Sequence, residues 1–185
     1  MAADAAFAGK GGLKLDYALE HAGIDVRNLV AADLGAAVGG FTDCLLKRGA
    51  AKVYSVDTCY GTLAWALRND PRVVVMERTN ALHVRLPESA GIVVVDVAWT
   101  PQVLIAPKAL ELVADGGIVL SLLKPQYEAE HGERTKGIAR EECVDGIIER
   151  VAAGLTMAGM EISDIIRLPK VKRKNQECFF VIRKR

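Results

Sequence analysis

Short apolar runs alternate with segments whose apolar residues recur at helical spacing along most of this chain. Runs at 29–34, 52–56, 72–76, 92–95 and 118–123 read as strands, and most are apolar on both faces, as strands sandwiched between helices must be. Helical patterns fall around and between them. Leu13, Tyr17, Ala18 and His21 define a first helix after Gly11-Gly12, and others are predicted over 40–48, 62–68, 102–113 and 140–158. The end of the chain differs: 161–168 and 177–183 read as two strands joined by a basic loop, 169–175. The order predicts an α/β protein, a mostly parallel doubly wound sheet with a C-terminal antiparallel hairpin. Residues 1–10 read as a short mobile leader, and 11–185 as a single domain, long enough for one well-buried core.

Composition changes this picture little. A hydrophobic fraction of 51% with 25% charged residues is that of an ordinary globular chain, which argues against disorder. The net charge of +1 conceals a basic tail: Arg167, Lys170, Lys172, Arg173, Lys174, Arg183, Lys184 and Arg185 stand against one acid, Glu177. Such a patch suits a polyanion, and equally a solvated face. Cys44, Cys59, Cys143 and Cys178 are scattered without metal-ligand spacing, so buried free thiols are expected and a metal site is not. The N-terminus lacks a signal-peptide pattern and the longest apolar run is too short to span a bilayer, so the expected location is the cytoplasm, away from membranes.

Ligands of a doubly wound sheet bind beyond the carboxyl ends of its strands, so the strand ends carry the candidate chemistry. The first ends at Asp33 and turns through Gly35-Ala36-Ala37-Val38-Gly39-Gly40 into a helix opening with Phe41. Small residues there let backbone N–H groups approach a ligand closely. A carboxylate at Asp33 repels a pyrophosphate and suits a cationic nucleoside, of which S-adenosylmethionine is the common one. Asp57 ends the second strand, where a carboxylate can accept from ribose hydroxyls or cap a turn. Asn80 follows the third, able to pair with an adenine edge or to form a turn. The fourth and fifth strands end in Asp96 and Lys124, charges that are costly when buried unpaired and so are expected to face one cleft.

These segments together resemble the FtsJ-type ribosomal RNA 2′-O-methyltransferases, most closely their hemolysin-A-like (TlyA) branch. The resemblance runs in order through Gly11-Gly12-Leu13-Lys14-Leu15, Asp33-Leu34-Gly35, Gly39-Gly40-Phe41-Thr42-Asp43, Val56-Asp57, Tyr60-Gly61, Arg68-Asn69-Asp70-Pro71-Arg72-Val73, Glu77-Arg78-Thr79-Asn80, Val95-Asp96-Val97, Lys124-Pro125-Gln126 and Asn175-Gln176-Glu177. It implies a Rossmann-like class I methyltransferase that binds S-adenosylmethionine through Asp33, the 35–41 turn, Asp57, Asn80 and Asp96. It also implies a catalytic Lys-Asp-Lys-Glu tetrad at Lys14, Asp96, Lys124 and Glu177. Ribose hydroxyls are weak acids, so attack on a methyl group needs aim and help in losing a proton. Lys124 suits that help as base or as electrostatic steerer, with Asp96 and Glu177 orienting it and Lys14 placing the RNA. The partner implied is RNA, expected to be ribosomal RNA or a ribosomal subunit, drawn to Lys170, Lys172, Arg173 and Lys174. The alternatives are a relative that binds cofactor and RNA without catalysis, and a methyltransferase of another substrate. The sequence departs from the branch in four places, one of them the segment after Tyr127, Glu128-Ala129-Glu130-His131-Gly132-Glu133-Arg134, which does not follow the usual glycine-rich pattern. Only a short leader stands where an S4-type RNA-binding domain is usual. Ala37-Val38 replace Ser-Thr, and Val97-Ala98-Trp99-Thr100 follow Asp96 in place of Val-Ser-Phe.

Overall fold

The computed structural model describes residues 6–170 and 175–184. In chain order the elements are α1 (Gly11–His21), β1 (Val30–Leu34), α2 (Gly40–Lys47), β2 (Lys52–Val56), α3 (Trp65–Arg68), β3 (Val73–Met76), β4 (Ala90–Val95), α4 (Gln102–Leu112), β5 (Val113–Leu123) and α5 (Pro125–Glu128). A two-residue hairpin, β6 (Arg134–Thr135) and β7 (Ile138–Ala139), and a 3₁₀ turn lead into α6 (Val144–Met157), β8 (Glu161–Arg167) and β9 (Cys178–Arg183).

Seven strands form one sheet in the order β3-β2-β1-β4-β5-β9-β8. The first five are parallel, and β9 runs antiparallel to both its neighbours. Burial explains why β9 lies inside and β8 at the edge. All five residues Cys178–Ile182 are buried, whereas β8 carries Glu161, Asp164 and Arg167 and exposes most of its length. Charged side chains on an edge strand also deter further pairing. On one face of the sheet α4 and α6 bury Ile105, Ala109, Ile147 and Val151. On the other α1 and α2 bury Leu15, Leu19, Phe41 and Leu45. Both faces are thus covered, which is why the central strands are apolar throughout.

The largest departure from the predicted elements is β5, which starts at Val113 rather than 118. Asp115-Gly116-Gly117 looks like a turn in sequence. Gly116 does take a left-handed φ of +77°, but reciprocal backbone bonds with Lys184 (Gly116 N–H to Lys184 O, 3.2 Å; Lys184 N–H to Gly117 O, 3.1 Å) keep the segment in the sheet. Residues 6–10 of the predicted leader are packed. The Ala8 N–H donates to Asp43 at 2.8 Å, Lys47 donates to the Ala6 carbonyl at 2.7 Å, and its ammonium lies 5.2 Å from the centre of the Phe7 ring. These residues lie against the glycine turn and the start of α2, and so bear directly on the site.

Candidate active site

Parallel strands β1, β2 and β4 bring three carboxylates toward the same edge of the sheet: Asp33 lies inside β1, paired with Ser55 and Val94, and Asp57 and Asp96 lie just beyond the last residues of β2 and β4. Lys124 follows β5. Since Leu123 pairs with Cys178 in the antiparallel register, Glu177, which precedes β9, emerges beside Lys124 although 53 residues separate them in the chain. The same register places Lys170 on the loop leaving this edge.

All four members of the expected tetrad meet, as two ion pairs. Lys124 Nζ lies 2.5 Å from Asp96 Oδ1 and donates to the Val97 carbonyl at 3.3 Å; Lys14 Nζ lies 2.5 Å from Glu177 Oε2. The four side chains retain between 14% and 32% exposure, so all four are partly buried and none is sealed off. Burial raises the Asp96 carboxyl above its ordinary value, and Lys124 and then Lys14 pull it back down. That coupling puts both pairs in one electrostatic unit. Both carboxylates are held by the cations, so the set carries no uncompensated buried charge.

The glycine turn is built mainly from backbone. Gly35 has φ +94°, and a Cβ there would sit 2.7 Å from the Asp96 carbonyl oxygen, so this position must be glycine for β1 and β4 to close on each other. Ala37 is left-handed at φ +48°, and its N–H donates to Asp57 Oδ2 at 2.8 Å while Cys59 N–H donates to Asp57 Oδ1 at 2.8 Å. Asp57 therefore ties the turn to the β2 loop, and it lines the cleft. Asn80 forms a turn, its Oδ1 accepting from Leu82 N–H at 2.9 Å, and it also lines the cleft. The chamber beside β2, β3 and β4 has a volume of about 340 Å³ and is bordered by Asp57, Asn80, Asp96 and Trp99. A second pocket of about 90 Å³ adjoins it, enclosed by residues 9–11 and by Gly35, Ala36, Ala37, Gly40 and Phe41. Gly35, Ala37 and Asp96 line both.

Two expected ligand contacts are corrected. Asp33 is fully buried and lies beneath the turn. Its Oδ2 accepts from Thr42 N–H at 2.9 Å and from the Thr42 hydroxyl at 2.7 Å, and that hydroxyl is 2.7 Å from Ser55 Oγ. Burial pushes its carboxyl up to about 7. Asp33 anchors the first turn of α2 and does not face a cationic ligand. Gly39, at φ +95°, faces the core: a Cβ there would meet Leu67 Cδ1 at 2.3 Å, so it is glycine for packing. Val38 borders the smaller pocket with its side chain over Gly9, and Ala37 contributes its N–H. The departure from Ser-Thr thus leaves the backbone of the turn in place.

Of the basic residues, Lys170 is ion-paired with Glu141; Lys172, Arg173 and Lys174 lie outside the described residues. Of the thiols, Cys44 and Cys178 are buried and pushed up to about 12 by burial, whereas Cys59 is exposed at the rim of the cleft. Trp99, which the sequence marks only as a departure from the family pattern, is a cleft residue. It takes φ +63°, is 77% exposed, lines the cleft and leans on Tyr127 with ring centres 4.7 Å apart. A large aromatic three residues after a strand-end acid was the available signal.

Among the described residues no helix is long and apolar enough to cross a membrane. Residues 7–185 match the family described as FtsJ-like methyltransferase. The chain is 38% identical over 173 residues to a candidate rRNA methyltransferase, YqxC, of Bacillus subtilis (strain 168), covering 86% of this chain and 60% of that protein. It is 42% identical over 132 residues to the 16S/23S rRNA (cytidine-2'-O)-methyltransferase TlyA of Mycobacterium tuberculosis, covering 69% of this chain and 49% of TlyA. The chain thus spans about half to two thirds of the length of these curated relatives. A solved structure of a candidate hemolysin from Streptococcus thermophilus superposes over 100% of this chain and 69% of its own, with a TM-score of 0.91 and 32% identity.

Proposed function

The chain belongs to the FtsJ-like methyltransferase family, and on that premise we propose that it transfers the methyl group of S-adenosylmethionine to a ribose 2′-hydroxyl of ribosomal RNA. The observation that carries this reading is the convergence of Lys14–Glu177 and Lys124–Asp96 at the mouth of a cleft whose far wall offers Asp57 and Asn80. The cleft suits a nucleoside cofactor. Its wall beside Asp96 closes so tightly on Gly35 that a Cβ would clash, and its polar groups are acceptors and amides suited to hydroxyls and a base edge. Bound there, S-adenosylmethionine supplies an electrophilic methyl group.

The protein's own part is placement and proton management. Lys124, fixed by Asp96 and the Val97 carbonyl, is assigned to the reacting hydroxyl, where it helps the proton depart and steadies the developing alkoxide. Glu177 holds Lys14 at the cleft mouth, where its ammonium can meet a phosphate or the same hydroxyl. Lys172, Arg173 and Lys174, with Lys170 nearby in the chain, are assigned to the RNA backbone.

The test is transfer of labelled methyl groups to total RNA and to assembled ribosomal subunits, followed by nucleoside analysis. A 2′-O-methylated nucleoside in ribosomal RNA is expected, and label confined to protein or to a base would overturn the reading. Neutralising Lys172, Arg173 and Lys174 should weaken RNA binding and reduce its salt slope by up to about three. An unchanged slope would remove them from the interface.

A further inference from the structure

We propose that the groove between the start of α6 and the C-terminal hairpin binds the RNA strand flanking the target nucleotide, its phosphates taking Arg167 and Lys170 from the acids that pair with them in the free protein. This rests on the ribosomal RNA reading above. The groove has a volume of about 460 Å³, larger than the chamber of about 340 Å³ that suits the nucleoside. Ile138, Ala139 and Val144 give it an apolar lining, in which Ala139 and Val144 are buried. Its charged lining is exposed: Glu141 and Asp145 on the side of α6, Arg167 and Lys170 on the side of β8.

The groove adjoins the transfer residues. Gln176 lines it, and the next residue, Glu177, holds Lys14 at the cleft mouth. The Leu168 N–H donates to the Glu177 carbonyl at 3.0 Å, and Arg167 pairs with Cys178 in the register of the hairpin. On the other wall the Ala139 N–H donates to Asn175 Oδ1 at 2.8 Å, which ties β7 to the chain entering β9. A strand whose ribose sits at Lys124 and Glu177 therefore has this groove beside its next nucleotide.

Two ion pairs cross from wall to wall. Arg167 lies 2.7 Å from Asp145, and Lys170 is paired with Glu141. The four side chains are between 49% and 83% exposed, and pairs so exposed contribute little stability, so exchanging one anion for another costs little. A phosphate offers a guanidinium the same two-oxygen geometry as a carboxylate, and an RNA strand brings one phosphate for every nucleotide. A lone anion would meet two acids beside two neutralised cations. A strand can engage both cations together and lay an apolar base face on Ala139 and Val144. Charge complementarity and continuity with the transfer residues thus select a nucleic acid strand as the occupant.

The test is a double-mutant cycle on the binding of deproteinised ribosomal RNA at fixed salt. Arg167→Gln with Lys170→Gln should weaken binding about tenfold and reduce its salt slope by up to about two. Asp145→Asn releases Arg167 in advance and should tighten binding about threefold, a gain that should vanish in the Arg167→Gln background. Glu142 pairs with Arg140 outside the groove, so Glu142→Gln removes one acid without freeing a groove cation and should change affinity less than about 1.5-fold. An Asp145→Asn gain that persists without Arg167, or that Glu142→Gln equals, would reduce the pairs to solvated surface and overturn the proposal. Unchanged binding in the doubly neutralised variant would overturn it as well, with the ribosomal RNA reading intact. A wild-type protein that binds no ribosomal RNA would overturn both. Melting temperatures should stay within about 2 °C of wild type, which separates weaker binding from a folding defect.

Discussion

The two halves of the proposed site, one assigned to the cofactor and one to methyl transfer, are built on opposite principles. The cofactor half, beside β1 and β2, comes from a short stretch of chain and is held by backbone: Gly35 and Ala37 in left-handed conformations, with the Ala37 and Cys59 amides gathered by Asp57. The transfer half comes from four distant segments, α1, β4, β5 and β9, and is held by two charge pairs. A backbone cradle presents fixed dipoles and changes little when a ligand arrives. A set of paired long side chains can exchange one partner for another, which a group that must handle a proton requires. Gly35 and Asp96 line both pockets and form the seam between the halves.

The strongest test of this division acts on the transfer half alone. Lys124→Ala should lower single-turnover methyl transfer by about 10²–10⁴-fold, the usual contribution of a positioned proton-transfer group, with S-adenosylhomocysteine affinity changed by less than about threefold. Equal loss of both would mean that the halves are not separable. At the seam, Gly35→Ala should damage both. With φ +94° and a Cβ 2.7 Å from the Asp96 carbonyl, it should cost about 1–3 kcal/mol in denaturant unfolding and lose cofactor binding as well as transfer. A stable variant with normal binding would show that the close approach of β1 and β4 is dispensable.

Within the cofactor half, Asp57→Asn leaves one carbonyl oxygen for two amides. The orphaned amide should cost about 1 kcal/mol of stability, and cofactor affinity should fall about tenfold, while the rate at saturating cofactor holds within about threefold. A larger fall in the rate than in affinity would move Asp57 to the transfer half. The last test concerns Asp33 and reads a pH slope in place of activity. Its carboxyl is pushed up to about 7 from 3.8 when folded, so between those values the folded protein holds a proton that the unfolded chain has released. Its contribution to stability is therefore greatest below about pH 4, is lost progressively as pH rises to about 7, and is constant above. Asp33→Asn should remove that slope from a series of urea midpoints against pH. A slope unchanged from wild type would show that Asp33 ionises normally beneath the turn.

Much of this was legible in the chain. The apolar runs located the parallel strands closely, 52–56 coinciding with β2, because strands covered on both faces carry a continuous signal. The strand-end charges marked the site, because a doubly wound sheet sends all its parallel strands to one edge. Less legible were elements whose conformation depends on a distant partner. The β5 extension through Gly116 and Gly117 exists because Lys184 pairs with it, and α5 and the β6–β7 hairpin are too short for any periodicity.

The sequence by itself determined the class of fold, the glycine turn and the strand-end charges Asp57, Asp96 and Lys124, since these follow from local pattern and residue chemistry, whereas Lys14 and Glu177 were singled out only through the family resemblance. Tertiary structure alone decided that β9 lies between β5 and β8, so that Glu177 comes out beside Lys124 and reaches Lys14. It also decided that Asp33 is sealed under α2 and that residues 6–11 lie over the glycine turn. Each of these depends on which surfaces are covered once the layers pack. Burial is a property of the assembled core, and no window of neighbouring residues contains it.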